Sequence, residues 1–129
     1  MYLLSGEKIT CGYGSVDIVS ECSIGVNKGN ISSIVGPNGA GKSTAMKALF
    51  GLLPVKKGKV ILNGEDVTNL PPQKRVLKGM GFVPQTNNIF PSLTVRENLE
   101  MGAFIDQNDL NKMLEYIYDL FPVLKDKKN

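Results

Sequence analysis

Gly36, Gly41, Lys42 and Ser43 fall at the spacing G-x-x-x-x-G-K-[ST], inside IVGPNGAGKST at residues 34–44. A triphosphate carries several negative charges and many acceptor oxygens. A loop of small residues lets successive backbone N–H groups turn inward and cradle them. Gly39 and Gly41 can take backbone angles closed to bulkier residues. A helix that follows would present its unpaired N–H groups and positive dipole end to the same anion. In this reading Lys42 is a point charge for the β and γ phosphates. Ser43 offers a hydroxyl to Mg²⁺, and Thr44 donates to the α phosphate.

The elements around the loop have the order this chemistry needs. ISSIV (31–35) reads as a short buried-type strand before it, and STAMKALFGL (43–52) has helical composition after it. That context favours the cradle over a glycine-rich turn with an incidental lysine. Upstream, YLLSGEKIT reads as a strand interrupted near Ser5-Gly6, IVSECSIGV (18–26) as a second strand and NKGN as a turn. Downstream, GKVILNG (58–64) is a glycine-bounded strand, PPQKRVLKG a short helix opened by proline, and MGFVP a buried strand stopped by Pro84. Such alternation predicts an α/β fold with a partly parallel sheet.

The last third is helical. Thr94 and Glu97 have the spacing of a capping box, opening a helix over 93–104. Leu110, Met113, Leu114, Ile117, Tyr118 and Phe121 lie on one helical face. Asn108 is the expected N-cap of that helix, and Pro122 its stop.

Composition narrows the function classes. Apolar residues make up 42% of the 129 and charged residues 21%, ordinary values for a soluble domain. The net charge of +3, from 15 basic and 12 acidic residues, is too mild to argue for a nucleic-acid partner. No apolar run is long enough to span a bilayer, and the first residues do not read as a secretory signal. The sequence has no histidine, which excludes Ser-His and Cys-His catalysis and leaves a zinc site short of ligands. Cys11 and Cys22 are expected as reduced thiols packed like small apolar groups.

With GPNGAGKST and FVPQ in hand, the chain resembles the N-terminal part of the ATP-binding subunit of an ABC transporter. GYG (12–14), GLLPVKKGKVILNGEDVTNLPP and IFPSLTVRENL are most similar to the branched-chain amino-acid importer type. The resemblance implies a P-loop NTPase-like α/β core with an N-terminal antiparallel β subdomain and the start of a helical subdomain. Residues 1–85 would be the nucleotide-binding core and 86–129 the beginning of the helical part. It implies ATP and Mg²⁺ as cofactors. Tyr13 would stack on adenine, and Gly36, Pro37, Asn38, Gly39, Ala40, Gly41, Lys42, Ser43 and Thr44 would form the Walker A loop. Gln85 would bind Mg²⁺ or position the attacking water. Transmembrane permease subunits and a second ATPase subunit would be the partners, at the cytoplasmic face of the membrane.

The family also carries an LSGGQ-type signature and an apolar strand ending in Asp-Glu. Neither occurs in these 129 residues, and Leu4-Ser5-Gly6 lies upstream of the loop and lacks the second glycine. Without those groups the isolated chain is expected to bind nucleotide but to hydrolyse it poorly, since phosphoryl transfer rests on positioning and electrostatics. The alternative reading is a non-catalytic nucleotide-binding or interaction module. Uncovered sheet edges would favour self-association.

Overall fold

The computed structural model describes residues 1–103 and 108–129. They form two units, Met1–Phe82 and Val83–Asn129, each taken by itself. The described residues form an antiparallel sheet with a few helices.

In the first unit, β1 (Leu4–Tyr13) and β2 (Val16–Val26) make an antiparallel hairpin that turns at Gly14. β3 (Lys57–Leu62) pairs with the other edge of β1, and β4 (Glu65–Asp66) returns along β3. The sheet order is β2-β1-β3-β4, antiparallel throughout. β1 runs unbroken through Ser5 and Gly6, contrary to the expected interruption there. The irregularity falls at Lys8 (φ 47°), with another at Glu21 (φ 47°). Side chains take up the amides displaced by these bulges: Lys8 N donates to Ser23 Oγ at 2.9 Å, and Glu21 N to Thr10 Oγ1 at 3.1 Å.

Between β2 and β3 lies α1 (Lys42–Phe50), whose small buried residues Thr44, Ala45 and Ala48 bring it close to the sheet. The core joins Ile9, Cys11 and Val19 of the hairpin to Ala45, Ala48 and Leu49 of α1 and to Val60 and Val67. Cys11 is fully buried and Cys22 packs against the same cluster, both as free thiols. α2 (Pro72–Leu77) opens on its proline, where a missing N–H costs nothing.

Two expected strands do not form. Residues 31–35 and 80–84 carry no ladder, and Ile31, Val35 and Val83 are 97%, 88% and 83% exposed. A buried parallel strand needs a neighbour for its backbone and apolar cover on both faces. Among the described residues no strand runs parallel to either segment, so the expected parallel pairing is absent there.

The second unit contains α3 (Val95–Gly102), α4 (Leu110–Leu120) and α5 (Pro122–Asp126). The capping box is present: Glu97 N donates to Thr94 Oγ1 at 3.1 Å, and Thr94 N to Glu97 Oε2 at 2.8 Å. Phe104, at the end of the helix expected over 93–104, lies outside the described residues. Asn98 ties the preceding loop to α3, accepting from Phe90 N at 2.7 Å and donating to Thr94 O at 2.8 Å. The N-cap of α4 is Asp109 rather than Asn108, and no side-chain bond caps it. Of the expected apolar face, Leu114 is buried while Met113 and Phe121 are exposed. Pro122 ends α4 and also opens α5. No helix among the described residues is long and apolar enough to cross a membrane.

Candidate functional site

The loop from Gly36 to Gly41 is built by its glycines. Ala40 N donates to the Pro37 carbonyl at 3.2 Å, closing a turn across Asn38 and Gly39. Gly39 and Gly41 both take left-handed angles, φ 87° and 93°. At Gly41 the requirement is double. A Cβ there would also sit 2.9 Å from Val19 Cγ2 and 3.3 Å from Ile18 Cγ2, so only glycine lets the loop seat on β2.

Gly41 is the N-cap of α1, and its carbonyl accepts the first helical bond from Ala45 N at 2.9 Å. The amides of Lys42, Ser43 and Thr44 therefore precede the helical ladder. No side chain caps this end and its first turn has no acidic residue, so positive dipole and donors are left for an outside acceptor. Ser43 is exposed there, whereas Thr44 is buried against the sheet. The Lys42 ammonium folds over the loop and donates to the Gly36 carbonyl.

Tyr13 ends β1 with about half its surface exposed, 52%, and its hydroxyl accepts a long 3.5 Å contact from Lys47 Nζ on α1. Tyr13 is thus half exposed, with its hydroxyl reaching α1. Beside the loop a cavity of about 240 Å³ is lined by the apolar Ile18, Val19 and Ile34 together with Ser20, Gly41 and Lys42. Gln85 belongs to the second unit and is exposed in a bend.

Ser43 supplies the kind of oxygen that Mg²⁺ takes, and that ion is commonly held by one or two protein ligands together with substrate phosphates. Among the described residues no group of three or more acidic, histidine or cysteine side chains could hold a metal by itself. The Ser43 hydroxyl, exposed at the start of α1, is the oxygen this loop offers.

Reading by residue type passed over Arg75. It is the largest fully buried side chain among the described residues, and its guanidinium meets the C-terminal end of α1. A lone arginine in a short polar helix carries no signal of burial.

Comparison with known proteins agrees with the loop. The ABC transporter family model matches residues 19–127. A probable branched-chain amino acid transport ATP-binding protein, LivF of Archaeoglobus fulgidus, is 40% identical over 124 residues, covering 95% of this chain and 52% of the relative. The lipopolysaccharide export system ATP-binding protein LptB of Haemophilus influenzae is 41% identical over 99 residues, or 77% of this chain and 41% of LptB. A solved ATP-binding subunit of an ABC transporter shares the fold, with TM-score 0.81 at 23% identity over 98% of this chain and 52% of that one. The chain thus spans about half the length of such relatives. A match over residues 19–127, which include the glycine loop and the helix it opens, means that this chain belongs to the ABC transporter family, among the ATP-binding domains.

Proposed function

We propose that this chain binds ATP with Mg²⁺ through residues 36–44 and forms the nucleotide-binding part of an ATPase that energises solute import. The carrying observation is the Gly36–Gly41 loop, with its left-handed glycines, set directly against the donor-rich start of α1. On ATP arrival Lys42 exchanges the neutral Gly36 carbonyl for phosphate oxygens, a stronger charge-assisted pairing. The amides of 42–44 take further oxygens, and the Tyr13 ring lies against adenine. Mg²⁺ would be held by Ser43 and the phosphates, neutralising charge on the β and γ groups. Gln85 keeps the role toward Mg²⁺ or the attacking water that the family resemblance implies. Likeness to LivF, which is named for branched-chain amino acid transport, supports that cargo. Membership of the ABC transporter family supports permease subunits and a second ATPase subunit as partners, at the cytoplasmic face of the membrane. Titration of the chain with MgATP, with Lys42→Ala as control, tests the binding.

A second reading concerns the chain on its own. These 129 residues hold no LSGGQ-type sequence and no apolar strand ending in Asp-Glu. Alone, the chain is then a nucleotide-binding module without turnover. Phosphate release above buffer from the purified chain would overturn that reading.

A further inference from the structure

Arg75 is 1% exposed and has no carboxylate among its hydrogen-bond partners. Its Nε donates to the Leu70 carbonyl at 2.9 Å and its Nη2 to the Thr68 carbonyl at 2.8 Å. Its Nη1 reaches the carbonyls of Leu49 at 2.7 Å and Ala48 at 3.3 Å. The last two belong to the final turn of α1, at the negative end of its dipole, and the Ala48 carbonyl also accepts from Gly51 N at 3.2 Å. A buried cation is costly unless its donors are satisfied. Here backbone oxygens of two segments satisfy it, so the side chain clamps the end of α1 to the loop that follows β4. Burial lowers the pKa of the guanidinium from its ordinary value.

Gly51 is shaped to the same clamp. It caps α1 with φ 91°. A Cβ at Gly51 would stand 2.7 Å from Arg75 Nε and 2.9 Å from Cζ. The guanidinium thus lies close against the glycine that ends the helix. Opposite this anchor, nine residues away along one rigid helix, is Lys42. A nine-residue helix is about 13 Å long, so a tilt of about 10° at the anchored end moves the other by about 2 Å. Displacements of that size at a reacting group are expensive.

We propose that Arg75 is a positioning residue for the nucleotide loop: by clamping the C-terminal end of α1, it sets where Lys42 and the amides of 42–44 stand. The inference rests on the reading of residues 36–44 as the ATP loop. Arg75→Lys keeps the charge and loses the planar fork, while Arg75→Met removes both.

The test compares these two variants, Lys42→Ala and the parent chain. The temperature is one at which circular dichroism finds each of them folded. MgATP dissociation constants are measured by calorimetry, and amide resonances of 36–44 are recorded without nucleotide. The expected result is an affinity about tenfold weaker in Arg75→Lys and weaker still in Arg75→Met, with the loop resonances displaced in both. Folded variants that bind within twofold of the parent and leave those resonances in place would overturn the proposal. So would failure of both to fold, which would make Arg75 a stability residue. A parent chain that binds no better than Lys42→Ala would instead overturn the ATP reading, and the loop resonances alone would then decide the role of Arg75.

Discussion

The Lys42 ammonium donates to the carbonyl of Gly36, six residues earlier, and so closes the loop upon itself. This bond holds the lysine against the start of the loop. It spends a full positive charge on a neutral acceptor, which a phosphate oxygen outbids. In the proposed ATP reading, Lys42 and the free amides at the start of α1 are thus brought to one loop before the anion arrives.

Tyr13 gives the first prediction. Its ring is half exposed beside Lys47. Stacking of a base on an aromatic ring is worth about 1–3 kcal/mol by alanine substitution. Tyr13→Ala should weaken ATP by about tenfold or more while leaving inorganic tripolyphosphate unaffected. Competition titrations with both ligands check this. Equal losses for the two would mean that Tyr13 supports the loop and does not touch the base.

Cys11 gives a pH dependence. Burial, and then the neighbouring Cys22, push its thiol above the ordinary value of 9.0. The folded state therefore keeps its proton where the unfolded chain has lost it, and stability falls as pH rises from 9.0 toward the folded pKa. Below 9.0 this contribution is constant. Urea unfolding at pH 7, 9 and 10 should show the decline, and Cys11→Ala should flatten it. A stability curve for the variant parallel to that of the parent would remove Cys11 as the cause.

Ile31, Val35 and Val83 are apolar, exposed and in segments with strand-like sequence but no ladder. Such backbone invites pairing between chains. The isolated chain should scatter light as a species larger than a monomer, and Ile31→Lys with Val35→Lys should shift it toward the monomer. A monodisperse monomer of the parent chain would contradict this.

Local signals were legible in the sequence, and remote ones were not. The first two strands, the strand before Gly64 and the Thr94–Glu97 box depend on residues close in the chain, and all form, although β3 starts at Lys57 and takes in Gly58 instead of being bounded by it. So does the loop, because its backbone angles need glycine at Gly39 and Gly41. Residues 31–35 and 80–84 have strand composition, but composition does not say whether a parallel neighbour lies beside them. The N-cap at Asp109 in place of Asn108 is a shift of one residue between two similar side chains. Arg75 was invisible because its partners are main-chain carbonyls, which every residue possesses.

The central claim is that residues 36–44 form a polyphosphate cradle with Lys42 as its cation. Calorimetric titration of the chain and of Lys42→Ala with MgATP tests it most directly. Charge-assisted hydrogen bonds contribute about 1.5–3 kcal/mol each. The account predicts saturable binding by the parent chain and a loss of about 100-fold in the variant, with the folded signal retained. A folded Lys42→Ala that binds MgATP as the parent does, or a folded parent that binds none, would contradict it.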